Sequence, residues 1–344
     1  MRWIYLVTGA AGHLGLTVTE ALIRRGDDVR ALVLPQDEYA PQLPEEAKVY
    51  VGDVCAPATL EDAFTVGPEE QLAVVHCAGL VSIASRYQQA VYDVNVTGTR
   101  NVIAQCEKHG AARLVYVSSV HALPALPKGE IIREIDSFDP AKVSGLYAQT
   151  KAEATASVLE AARRGLNASV VHPSGIFGPN DYGRGHLTQL VCDCFDGRLT
   201  AGIAGGYDMV DVRDVAAGIL SCLDKGRAGE CYLLSNRYVG VPEIFEEMAK
   251  ITGHKRVTTF LPLWFIRWVA PLAELYYRLR RQTPLFTAYS IETLESNALF
   301  SHEKAARELG FAPRPFEETL RDTVAWLDAH GRFQKSDRHV GNAA

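Results

Sequence analysis

The sequence predicts an α/β protein: a doubly wound parallel sheet joined to a smaller, mainly helical lobe. Three observations predict it. Short, nearly continuous apolar runs in the first half alternate with helix-length segments. A glycine-rich turn, Thr8-Gly9-Ala10-Ala11-Gly12-His13-Leu14-Gly15, stands between the first run and the first helical pattern. After Pro173 the alternation gives way to a loop-rich passage and then to helical patterns. Strands that are buried on both faces of a parallel sheet read as apolar throughout, and strand–helix alternation is how such a sheet is wound.

The runs are Ile4–Val7, Val29–Leu34, Val49–Val51, Leu72–His76, Arg113–Val117 and Ala168–His172. Leu14, Val18, Ala21 and Leu22 fall at helical spacing, and Gly26 follows as a stop. Gly175, Gly178, Pro179, Gly183 and Gly185 then mark a loop. Asp214–Leu223 reads as a helix, Cys231–Leu234 as a seventh strand, Pro242–Thr252 and Glu317–Asp328 as later helices. The expected division is a nucleotide lobe over 1–173, with 209–236 returning to it. A substrate lobe takes 174–208 and 237–331, and a frayed tail covers 332–344.

Composition narrows the function. The chain has 344 residues, 47% hydrophobic and 22% charged, with net charge −6. That is ordinary globular usage. No cluster of Lys and Arg offers a nucleic-acid surface, so nucleic acid is not an expected partner. The chain opens without a secretory h-region, and its seven cysteines contain no CxxC pair. The reading is reduced, cytoplasmic and metal-free. Phe260–Tyr277 is apolar but broken by Pro262, Arg267, Pro271 and Glu274, so it reads as an amphipathic helix, not a span.

Chemistry enters at the glycine turn. Glycines let a backbone fold tightly against a pyrophosphate, and a helix N-terminus offers it unpaired N–H groups. Thr8, Gly9, Gly12, His13, Leu14 and Gly15 are therefore cofactor-binding candidates. The GxxGxxG spacing resembles that of the short-chain dehydrogenase/reductase superfamily, whose extended branch is similar to this chain from Ile4 to about Trp326. The resemblance implies a Rossmann-like fold, an NAD(P) cofactor and a homodimer. It also implies an adenine contact at Asp53 and Val54 and a ribose passage at Cys77, Ala78 and Gly79. Asn95 is implied near the active site. The backbone of Pro173, Ser174, Gly175 and Ile176 is implied to hold the nicotinamide carboxamide. Leu34-Pro35-Gln36 ends the second run without an acid or an arginine, and no Lys or Arg follows before Lys48. NAD is favoured over NADP, because a ribose phosphate without a cation binds poorly.

Tyr147-Ala148-Gln149-Thr150-Lys151 puts a phenol and an ammonium on one helix face. An ammonium and a cationic nicotinamide both favour phenolate, so a lowered pKa is expected for Tyr147. It can then exchange a proton with an alcohol or ketone oxygen. Lys151 also reaches the ribose. Val115-Tyr116-Val117-Ser118-Ser119 ends a strand in two hydroxyls, with Ser119 preferred over Ser118 for orienting the substrate oxygen. Val81, His121, Tyr182 and His186 are substrate-side candidates.

Within the extended branch the chain most resembles the dihydroflavonol-reductase and 3β-hydroxysteroid-dehydrogenase group. This rests on His76-Cys77-Ala78-Gly79-Leu80-Val81, on Val91–Thr99, and on Ala305–Phe311 before Pro313 and Pro315. The expected activity is interconversion of a secondary alcohol and a ketone on a hydrophobic small molecule, steroid-like or flavonoid-like. A sugar-nucleotide epimerase or dehydratase with tightly held NAD is the alternative. That branch carries an Arg seven residues before the Asp equivalent to Asp214, where this chain has Tyr207. It usually carries Asn at the position of His172. Arg184, Arg280 and Arg281 stay open as substitutes. A non-catalytic nucleotide sensor on the same fold is the third possibility.

Overall fold

Seven strands form the central sheet of the computed structural model, which describes residues 1–82, 87–199, 201–203, 205–253, 257–262 and 297–333. They are β1 (Arg2–Thr8), β2 (Asp28–Val33), β3 (Lys48–Val51), β4 (Glu70–His76), β5 (Arg113–Val117), β6 (Ala168–Pro173) and β10 (Cys231–Leu234). Their order is β10-β6-β5-β4-β1-β2-β3, and every pairing is parallel. All seven coincide with the apolar runs to within three residues. The physical reason is visible in the two cores. Leu72, Val74, Leu114, Tyr116 and Val170 face one core, and Ala73, Val75, Val115, Val117 and Val171 face the other. Neither face meets water, so no polar alternation appears. β3 is an edge strand, and there Val49 and Val51 are exposed.

Helices α1 (His13–Arg25), α2 (Glu61–Phe64), α3 (Gln89–Tyr92), α4 (Thr99–Lys108), α5 (Leu146–Arg163), α6 (His186–Phe195) and α7 (Val212–Lys225) alternate with these strands. α8 (Val241–Thr252), α9 (Glu303–Leu309) and α10 (Phe316–Ala329) follow. A π-helical turn over Asp93–Gly98 joins α3 to α4. Such turns concentrate at functional sites, and this one carries Asn95.

The part after Pro173 is not helix alone. β7 (Gly175–Phe177), β9 (Gly206–Asp211) and β11 (Arg237–Gly240) form a second sheet in the order β11-β9-β7, and β8 (Gly202–Ile203) pairs with β12 (Phe260–Leu261). These strands are short and glycine-rich, so periodicity does not reveal them. Phe177, Met209, Val239, Ile244, Phe316 and Leu320 give this region its own core. Arg332 and Phe333, expected to begin a frayed tail, are docked: Phe333 stacks on Phe195 at 3.6 Å, and Arg332 lies over the Tyr182 ring at 5.3 Å. Most of the apolar stretch, from Leu263 to Tyr277, lies outside the described residues, as does 334–344. No helix among the described residues is long and apolar enough to cross a membrane.

Strand order reverses between β1 and β4. In open α/β sheets the crevice at the carboxyl ends of such a pair receives the ligand. Thr8 and His76 stand opposite each other there.

Candidate active site

The glycine turn sits at that crevice, and its glycines do different work. Gly9 has φ +65°, and a Cβ would lie 2.8 Å from Ala78 Cα. A Cβ on Gly15 would lie 2.1 Å from Gly9 O. These two permit the turn itself. A Cβ on Gly12 would meet only Gly9 O, at 3.3 Å, so the space above Gly12 is open. Gly12 caps α1, whose first amides have no acceptor within the helix. An uncrowded backbone beside free amides fits a pyrophosphate, so these residues suit the dinucleotide. Gly12→Ala should leave the melting temperature nearly unchanged while weakening NAD about tenfold or more, the loss of roughly one charge-assisted hydrogen bond. Gly15→Ala should unfold the turn and lower the melting temperature. Calorimetric titration and a melting scan on both variants check this.

Thr8 Oγ1 bonds His76 Nδ1 at 2.7 Å and accepts from the Ala78 N–H at 3.2 Å, which lays residues 77–79 along the crevice. Burial drives His76 down to about 3, so it is neutral. Burial pushes the Cys77 thiol up to about 12. Gly79 lies against Lys151 Nζ, 3.4 Å from where its Cβ would be. Asn95, implied near the cofactor, is wholly buried and acts at one remove. It accepts from the Leu80 N–H at 2.8 Å and donates to Leu80 O at 2.9 Å and to Thr150 Oγ1 at 3.1 Å. It thereby ties the 79–81 backbone to α5. Val81 is 73% exposed on the rim.

Just past β3, Asp53 Oδ1 accepts from the Cys55 N–H at 2.8 Å, and Val54 is buried against Gly98. Asp37, the acid nearest the end of β2, folds back to accept from the Tyr39 N–H at 3.0 Å. His13 donates from Nε2 to Pro179 O at 2.8 Å, which fastens the loop after β7 over the start of α1. Leu14 packs on the core beneath.

Ser119, Tyr147 and Lys151 converge, all nearly buried. The two strand-end hydroxyls part ways. Ser118 Oγ bonds Thr155 Oγ1 at 2.7 Å inside the protein. Ser119 turns to the site, where its hydroxyl lies near enough to the Tyr147 phenol to lower its pKa and accepts from the His121 N–H at 3.2 Å. The lowered pKa expected for Tyr147 is not present in the protein alone: burial raises it, and the Ser119 hydroxyl offsets only part of that. Lys151 Nζ donates to Val117 O at 2.8 Å and to Tyr116 OH at 3.4 Å. Desolvation brings Lys151 down to about 8.

His121 stands edge-on to the Tyr147 ring, with centroids 5.8 Å apart. It stacks on Tyr207 at 5.6 Å and 12°, and its Nε2 bonds Tyr207 OH at 3.0 Å. Phe300 closes the row edge-on to Tyr207 at 6.5 Å. Burial takes His121 to about 4, so this wall is neutral. Tyr207 and Phe300 were not among the sequence candidates. Phe300 reaches the site because Asn297 Nδ2 donates to Pro127 O and Glu130 O, at 2.9 and 2.6 Å, and Ile132 bridges Phe300. Only the missing arginine at position 207 had pointed there.

Other candidates lie elsewhere. Tyr182 packs on Trp326 at 4.9 Å and bonds His330, contacts that join it to α10. His186 is exposed at the first turn of α6. Of the carboxamide stretch, Pro173 has no N–H, that of Ser174 donates to Leu234 O at 3.2 Å, and Gly175 and Ile176 belong to β7, where they pair with Met209 and Val210 of β9. A Cβ on Gly175 would strike Tyr207 Cδ1 at 3.0 Å, so this glycine lets the aromatic wall approach. Arg184 is exposed and donates to Arg332 O at 2.7 Å. Arg280 and Arg281 lie outside the described residues.

A doubly wound sheet with a pyrophosphate turn and a Ser–Tyr–Lys cluster at its switch point defines a nicotinamide-nucleotide enzyme of the dehydrogenase/reductase type. The chain belongs to the NAD dependent epimerase/dehydratase family, whose model matches residues 5–235. It is 33% identical over 328 residues to sterol demethylase protein B of Methylococcus capsulatus, covering 95% of this chain and 98% of the relative. It is 31% identical over 354 residues to short-chain dehydrogenase/reductase family 42E member 1 of Mus musculus, covering 95% and 87%. The crystal structure of gox2253 superposes with a TM-score of 0.80 at 31% identity, covering 96% and 99%.

Proposed function

We propose that the protein is an NAD-dependent oxidoreductase that interconverts a secondary alcohol and a ketone on a hydrophobic ring system, with sterols the first class to test. The observation that carries the substrate class is the neutral aromatic wall of His121, Tyr207 and Phe300 beside Tyr147. Apolar ligands bind in pockets of aromatic side chains with few polar anchors. A diphosphate set against Tyr207 in place of a guanidinium would forgo a charge-assisted bond worth about 1.5–3 kcal/mol. The sterol in the name of the 33% identical relative favours the same class. Residues 174–208 and 237–331 make up the substrate lobe in this reading.

In the proposed reaction Ser119 donates to the substrate oxygen and holds it against the Tyr147 hydroxyl. Tyr147 removes the proton from an alcohol or returns it to a ketone. Lys151 holds the nicotinamide ribose and supplies the positive charge that favours phenolate. Gly12 and the first amides of α1 hold the pyrophosphate. When bound, the nicotinamide supplies the hydride acceptor or donor. NAD is preferred because no Lys or Arg lies between Leu34 and Lys48.

Nicotinamide absorbance, followed with NAD(H) and NADP(H) against hydroxysteroids, flavanonols and simpler ketones, tests this. Net turnover of a ring alcohol, with the lower KM for NAD, is expected. Tyr207→Arg should reduce that turnover. Silence across the panel from protein that binds NAD, with turnover of UDP-glucose, would overturn the reading.

A further inference from the structure

His172 is the last residue but one of β6, and its side chain is fully buried. The backbone ladder between β5 and β6 ends one rung earlier, where the Ser118 N–H donates to Val171 O at 2.8 Å. Beyond it the chain leaves the sheet: Ser119 is extended (φ −161°, ψ 153°) and caps a 3₁₀ turn over Val120–Ala122. A side chain takes over at this point. His172 Nδ1 lies 3.0 Å from Ser119 O. A carbonyl only accepts, so Nδ1 carries the proton and Nε2 is the bare nitrogen. Nε2 is buried and has no partner among the described residues. The Phe138 ring lies flat against the imidazole at 5.2 Å and 8°, which limits rotation of the ring. Ser119 O also accepts from the Ala122 N–H at 3.0 Å, so two donors fix this peptide.

We propose that His172 is a positioning residue: its neutral imidazole extends the β5–β6 ladder by one rung and so aims the Ser119 hydroxyl at Tyr147. The inference rests on the role proposed above for Ser119. Burial, which takes His172 down to about 4, keeps the imidazole a single-proton donor near neutrality. An asparagine places its Nδ2 near where His172 has Nδ1 and keeps the donor. A glutamine carries the same amide one carbon too far, and a leucine carries no donor.

The test compares His172→Asn, His172→Gln and His172→Leu with the unchanged protein. The first readout needs no turnover: Tyr147 is titrated by ¹³Cζ-tyrosine NMR. The Ser119 hydroxyl lowers the Tyr147 pKa, so a displaced Ser119 lets Tyr147 titrate higher. An upward shift is expected in the Gln and Leu variants but not in Asn. The second readout is kcat on the alcohol that the panel identifies. Gln and Leu should lose about tenfold, as a slightly misplaced group does, with Asn close to the unchanged protein and NAD affinity the same in all. A Leu variant whose Tyr147 titrates as before would overturn the inference, as would an Asn variant that shifts as far as Leu. Inactivity of the unchanged protein on every alcohol would count against the proposed function alone, because the NMR comparison still reads the placement of Ser119.

Discussion

Tyr147→Phe should lower turnover by about 10²–10⁴-fold, the usual contribution of one positioned acid/base, while NAD affinity and melting temperature stay near their original values. The argument is geometric. The phenol is 8% exposed, lies near the Ser119 hydroxyl and is backed by the His121 ring, so removing one oxygen leaves the packing intact. The pH dependence adds a second check with a defined sign. Burial raises the Tyr147 pKa, so the protein alone holds a phenol near neutrality, the form suited to protonating a ketone oxygen. Alcohol oxidation needs the phenolate. Its kcat/KM should therefore climb with pH up to the pKa of Tyr147 and level off above it, and ketone reduction should show the opposite trend. Positive charge on the bound nicotinamide moves both curves to lower pH. The residual activity of Tyr147→Phe should lose this limb. A variant with normal turnover, or with an unchanged pH limb, would remove Tyr147 from the acid/base role.

Much of the main sheet and the glycine turn was legible because local chemistry and tertiary placement coincide there. A strand such as Val115–Val117 is apolar on both faces because both faces are covered, and Gly9 and Gly15 are needed by the turn whatever binds. Tyr147 and Lys151 were legible because one helix carries both. The substrate side was not. Phe300 comes to Tyr207 from 93 residues further along the chain, through Asn297 and the Ile132 bridge, and no local pattern encodes that approach. Tyr182 looked like a site residue only because its loop is glycine-rich; the ring of Trp326 decides where it goes. The lowered pKa expected for Tyr147 is absent from the protein alone for a related reason. Spacing places Lys151 on the same helix face, its ammonium is held by Val117 O, and burial of the phenol is the larger influence.

Lys151→Met should abolish turnover and yet stabilise the protein alone. The ammonium is 5% exposed, and it bonds Val117 O and faces the Tyr116 ring at 5.0 Å. Desolvation brings its pKa from 10.5 to about 8. At about 1.4 kcal/mol per pH unit, burying the charge costs on the order of 3 kcal/mol. Methionine removes that cost and leaves Val117 O without its donor, a loss of about 1–2 kcal/mol. A net gain of about 1–2 kcal/mol remains near pH 7. Below pH 8 folded and unfolded chains both hold the proton, so the cost is present in full. Between pH 8 and 10.5 the folded chain has released a proton that the unfolded chain keeps, so stability of the unchanged protein rises with pH. The Lys151 charge also acts on His76, His172 and Cys77, but in the folded chain these titrate near 3, 4 and 12, outside this window, so Lys151 itself separates the two proteins there. Their difference in stability should therefore shrink and reverse across this window, which urea unfolding at stepped pH values measures. Added NAD should stabilise the unchanged protein by mass action and the variant much less, because the residue proposed to hold the ribose is gone. A variant that is less stable by a pH-independent margin would mean that Lys151 is a structural cation. A more stable, inactive variant that binds NAD weakly would mean that the fold tolerates an unfavourable buried charge for the sake of the reaction, the trade between stability and activity that active sites commonly show.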